Sequence, residues 1–86
     1  MSRLRETCDA DLLTLRAAGK IIKTAGQNDI ETARSHLYHA LEEERMEEIT
    51  AWMRALRMAL NAAPFTDEAI REEAMSALRA IEEKVR

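Results

Sequence analysis

From Asp29 to Asn61 the chain runs 33 residues without a glycine or a proline, bracketed by Gly26 on one side and Pro64 on the other. Written as one α-helix at 1.5 Å per residue, such a segment would reach roughly 50 Å. The mean globular helix has only about 11–12 residues. The expected architecture is therefore all-α: a three-helix antiparallel bundle over residues 1–86, built as one domain around a long central helix. Helix 1 is expected at about residues 2–25, helix 2 at about 29–61 and helix 3 at about 66–85.

The apolar pattern places these helices. Cys8, Leu12, Leu15, Gly19 and Ile22 recur at 4-3-4-3 spacing and make one stripe, extended backwards by Leu4 and widened by Leu13, Ala17 and Ile21. Gly19 on that stripe predicts a close helix–helix approach. Gly26 stands where a left-handed C′ residue would end helix 1, with Lys20 and Lys23 favourable to the negative end of its dipole. Asn28 with Glu31 has the spacing of a capping box, and if Asp29 caps instead the boundary moves by one. Thr66 is the expected N-cap of helix 3. Phe65 and Ile70 are spaced as a hydrophobic staple, and Ile70, Ala74, Ala77, Ile81 and Val85 form its stripe.

The long segment carries two stripes rather than one. Ile30, Ala33, Leu37 and Leu41 form the first; Met46, Ile49, Met53, Leu56 and Leu60 form the second. At 100° per residue the second lies about 135° around the axis from the first. Either the two halves face different neighbours, or the helix breaks within residues 42–48. Glu, Arg and Met are good helix formers, and this favours continuity.

A chain of this size buries only about 60–65% of its unfolded surface. Its apolar fraction is 47%, much of it alanine, with Tyr38, Trp52 and Phe65 its aromatic residues. A thin core predicts completion by dimerisation, with a two-fold partner docking on the two flanks of the spine that helices 1 and 3 are too short to cover.

Charge disfavours some functions. Thirteen basic and 16 acidic residues give a net charge of −3 and a pI of about 5.4, the wrong sign for a basic nucleic-acid footprint. Cys8 is the single cysteine, which excludes an internal disulfide and a cysteine-based zinc cluster. No apolar run approaches a membrane span, and Met1-Ser2-Arg3-Leu4-Arg5 lacks the apolar stretch of a secretory leader. A cytoplasmic protein with no nucleic-acid or membrane partner is expected.

Three groups of residues are candidates for chemistry or recognition. The run Glu42-Glu43-Glu44-Arg45-Met46-Glu47-Glu48 repels itself at Glu43/Glu47 and Glu44/Glu48 in a continuous helix. It reads as a solvated waist neutralised by Arg5, Arg79, Lys84 and Arg86, or as a surface for a basic partner. His36, His39 and Glu43 are low-ranking metal candidates, because zinc needs three or four convergent ligands and no Glu-x-x-His of the di-iron bundles is present. Met46, Ile49, Trp52, Met53, Leu56 and Leu60 are the candidate partner-binding face, methionine being frequent at adaptable interfaces. Arg54 and Arg57, beside Trp52, are expected to pair with Glu72 and Glu73.

The opening Leu4-Arg5 followed by Asp9-Ala10-Asp11-Leu12-Leu13 is loosely similar to the all-helical chorismate mutases. The spacing departs from theirs and the later lysine and arginine positions do not match, so no site residue is carried over. The expected function is a small non-enzymatic regulatory or adaptor protein that acts through protein–protein contact and self-associates, with no cofactor. The alternatives are a metal-binding, ferritin-like oligomer and a small all-helical enzyme of mutase type.

Overall fold

The computed structural model describes residues 3–22 and 28–86. They form helices α1 (Arg3–Thr7), α2 (Asp9–Ile21), α3 (Asp29–Glu43), α4 (Met46–Ala62) and α5 (Glu68–Val85). The proposed C′ role of Gly26 and the dipole role of Lys23 lie outside the described residues.

The predicted 33-residue spine is two helices. Glu44 adopts φ 53°, ψ 41°, the left-handed region. The Glu44 N–H donates to the Leu41 carbonyl (3.2 Å) and the Arg45 N–H to the Ala40 carbonyl (3.0 Å). This pair of bonds is a Schellman closure, built with glutamate where glycine is usual. Phase decides between the two readings. With the turn in place, Ile30, Leu37, Leu41, Ile49, Leu56 and Leu60 all enter one core at 0–2% exposure. A straight rod would instead point the two stripes about 135° apart. Helix propensity at Glu44 and Arg45 amounts to a few tenths of a kcal/mol per residue; burying each large side chain contributes about 1.5–3 kcal/mol. Burial wins. The flanks expected to lie bare are covered by the segment itself.

Around that core, α2 packs on α3, α3 on α4, α4 on α5 and α5 back on α2, with no close backbone approach across either diagonal among the described residues. The long helices alternate in direction. Gly19 near the end of α2 approaches Ile30 at the start of α3, His36 meets Trp52 across α3 and α4, and Lys84 at the end of α5 bonds Asp11 near the start of α2. The result is a four-helix antiparallel ring in place of three rods, measuring 35 × 24 × 18 Å. α1 continues α2 with a local irregularity at Cys8, whose N–H is shared between the carbonyls of Leu4 (3.2 Å) and Arg5 (3.1 Å).

The helix ends are closed by side chains. Asn28 accepts from the Glu31 N–H (3.1 Å), while its amide donates to the carbonyls of Gly19 and Ile22. One side chain thus caps the end of α2 and the start of α3. A Cβ on Gly19 would stand 3.3 Å from Ile30 Cγ2, the close approach its position predicts. At the other end Arg71 donates to the carbonyls of Leu60, Asn61 and Ala63, the open end of α4, and lies over the Phe65 ring at 5.2 Å. The N-cap of α5 is Asp67, which accepts from the Ala69 N–H (2.9 Å), rather than Thr66. Phe65 and Ile70 still pack on the core, one position out of staple register.

Two stability predictions follow from the caps and the turn. Holding an L-residue in the left-handed region costs about 1–2 kcal/mol, so Glu44→Gly raises the unfolding free energy by about 0.5–1 kcal/mol in urea titrations; an equal or lower value contradicts the turn. Asn28→Ala lowers it by about 1–2 kcal/mol. Asn28→Asp recovers only part, since a carboxylate keeps the α3 cap but offers no donor to the two α2 carbonyls.

Candidate functional site

The six residues predicted as a partner-binding face divide in the structure. Ile49, Leu56 and Leu60 are fully buried core residues and present nothing to a partner. They point inward because the hairpin turns the second stripe onto α3. Met53 and Trp52 are half-buried at the margins of the core, and Met46 is 50% exposed. Met46 and Met53 flank α5, where they share a cleft with Arg57 and Glu82. Trp52 leans the other way, towards α3.

On the α3 side α4 carries a second, smaller apolar stripe that the sequence reading did not single out. Ala51, Ala55, Met58 and Ala62 recur at 4-3-4 spacing, outside the core stripe. Met58 is 67% exposed. With Thr32 and Ala33 of α3 and the Trp52 side chain, Ala55, Met58 and Ala62 of this stripe and the neighbouring Ala59 line a shallow groove of about 420 Å³. The groove has an aromatic anchor: the His36 imidazole lies flat on the Trp52 indole, ring centres 4.2 Å apart and planes 8° from parallel. Alanines keep the floor low, so another backbone can come close. The spacing was present in the sequence; its exposure depended on the hairpin.

Asp29 is the one acidic residue in the groove lining. At the α3–α4 turn, Glu43 and Glu48 share Arg45, with contacts of 2.9 and 3.2 Å, and Glu47 is exposed. These pairs are half in water and contribute little to stability. The waist is not neutralised as the sequence suggested. Arg5 does reach Glu42 (2.8 Å), but also Asp9; Lys84 pairs with Asp11, Arg86 with Glu83 and Arg57 with Glu82. Glu72 and Glu73 are exposed. A further apolar edge, with Leu13 at 64% and Ile21 at 51% exposure, lies between α2 and α5. These residues were expected to widen a buried stripe.

The metal candidates diverge. His36 stacks on Trp52, His39 stands edge-on to Tyr38 at 5.5 Å, and Glu43 pairs with Arg45. Among the described residues no group of three or more His, Cys, Asp or Glu side chains is placed to hold a metal. Burial pushes the Cys8 thiol up, with Lys84 pulling against it and Asp11 and Asp9 adding to it; the residue is fully enclosed in the core. A hydrogen bond from Arg34 holds the Glu31 carboxyl below its ordinary value, and the same bond orients Arg34 at the α2–α3 edge. Among the described residues no helix is long and apolar enough to cross a membrane.

Comparison with family models, with characterised proteins and with solved structures finds no match for this chain.

The stack makes Trp52, the only tryptophan, a reporter of the groove. His36→Ala uncovers one face of the indole, so its emission shifts to the red and the fold loses about 0.5–1.5 kcal/mol. An unchanged spectrum contradicts the stacked geometry.

Proposed function

We propose that this chain is a small non-enzymatic regulatory or adaptor protein that works in the cytoplasm by protein–protein contact, both binding a target and self-associating. The observation that carries the reading is the stripe of exposed Ala51, Met58 and Ala62 with half-buried Ala55, beside Trp52. An apolar strip with an aromatic anchor and small residues at helical spacing suits the helix-in-groove mode of recognition. Asp29 in the groove lining and the exposed glutamates of the α3–α4 turn favour one occupant: an amphipathic helix of the target with an apolar face flanked by basic residues. That charge steers association, and the Trp52 anchor supplies the affinity. Met46 and Met53 extend the contact where the target is longer than the groove.

The test uses Trp52 fluorescence and an amphipathic leucine-lysine helical peptide of about 18 residues, with a leucine-glutamate peptide of identical apolar pattern as control. The basic peptide shifts Trp52 emission to the blue with a dissociation constant of about 10–100 μM, and Ala55→Glu weakens it at least about tenfold. No spectral change, equal binding of the acidic peptide, or an unaffected Ala55→Glu variant overturns the reading. Affinity capture with the wild-type chain against the Ala55→Glu chain then identifies the natural target.

A further inference from the structure

We infer that Glu44 and Arg45 are a hinge, and that two copies of this chain exchange their α4–α5 halves by straightening it into one continuous helix over residues 29–62. Four observations converge on this. Glu44 is the only non-glycine residue with positive φ among the described residues, so the closed turn holds a conformation that straightening relieves. The turn contains no glycine, proline or asparagine, and its residues are all good helix formers. Arg45, the N-cap of α4, makes no side-chain capping bond. The first N–H groups of α4 and the last carbonyls of α3 would satisfy each other in an unbroken helix. Lastly, the contacts that cross between the α1–α3 half and the α4–α5 half join α3 to α4, α2 to α5 and α1 to α5. All of them can be remade between two chains.

A lone chain cannot use the open form, because it would expose Ile30, Leu37 and Leu41 on one half and Ile49, Leu56 and Leu60 on the other. A second copy removes that penalty by supplying the missing half to each core. The phase offset then becomes an asset. On a straight rod of about 51 Å the two stripes point about 135° apart, so the two bundles sit on different sides and do not collide. The glutamate run opposes opening. In the rod Glu43 faces Glu47 and Glu44 faces Glu48, whereas in the closed turn Arg45 holds Glu43 and Glu48. The charge pattern is the latch.

The inference deepens the self-association in the proposed function, and a dimer without exchange would keep that reading while removing this one. Two exposed positions on the hairpin, Thr32→Cys and Met58→Cys in a Cys8→Ala background, carry spin labels for distance measurement by pulsed electron resonance. Labelled chains are refolded at high concentration with excess unlabelled chain, and monomer and dimer are separated by gel filtration. Across adjacent helices the label-bearing backbones stand about 10 Å apart; along a continuous helix they stand about 39 Å apart. The monomer gives the short distance and the dimer the long one. The double variant Glu47→Lys with Glu48→Lys turns both repulsions of the rod into attractions and raises the dimer fraction. Glu44→Gly, relaxed in the turn and poor inside a helix, raises the dimer dissociation constant at least about tenfold. A dimer that shows only the short distance, or no dimer even for the double-lysine variant with its helical circular dichroism intact, overturns the inference.

Discussion

The structure depends on a disagreement of phase. Two apolar stripes occupy one glycine-free, proline-free segment at angles that a straight helix cannot bring to the same side. A small chain has few large apolar residues to spare, and Ile30, Leu37, Leu41, Ile49, Leu56 and Leu60 are among its most deeply buried. Only a reversal of direction puts all six in one core. The reversal falls at Glu44 and Arg45, where the local sequence does least to favour it. The cost is one residue in the left-handed region and one weakly capped helix start; the gain is a closed ring of four helices.

The other joints are arranged so that backbone ends are met by side chains rather than by turn residues. Asn28 serves two helices at once, and Arg71 gathers the carbonyls that close α4 while covering Phe65. Lys84, whose affinity for its proton is raised by the hydrogen bond to Asp11, ties the end of α5 to α2 and to the Thr7 carbonyl. Arg5 is likewise held charged, first by Glu42 and then by Asp9, and joins α1 to α3. Because the core is closed in this way, the remaining apolar residues fall on its outside. That is why the apolar strip on the outer surface is the thin alanine stripe beside Trp52 rather than the stripe of Ile49, Leu56 and Leu60.

Much of the helical content was legible in the sequence. The stripes of α2, α3 and α5, the Asn28 and Glu31 pairing, the close approach at Gly19 and the burial of Cys8 all follow from spacing, because each involves residues on one helix or across one short link. The hairpin was signalled by the 135° offset, but helix propensity at Glu44 and Arg45 pointed the other way, and per-residue propensity is a small term beside burial. The docking face inherited that error: with the spine straight, Ile49, Leu56 and Leu60 looked uncovered. The His36–Trp52 stack joins residues 16 apart in sequence on two helices, so no periodicity reveals it. Arg71 was missed because its partners are backbone carbonyls of another helix, which leave no mark in a side-chain pattern.

The nuclear magnetic resonance spectrum of the dilute, monomeric chain tests the α3–α4 hairpin most directly. Stacked rings 4.2 Å apart require strong cross-relaxation between the His36 and Trp52 ring protons, together with a left-handed carbon-shift signature at Glu44. A monomer in which those cross-peaks are missing, and in which helical shifts run unbroken through Glu44 and Arg45, contradicts it.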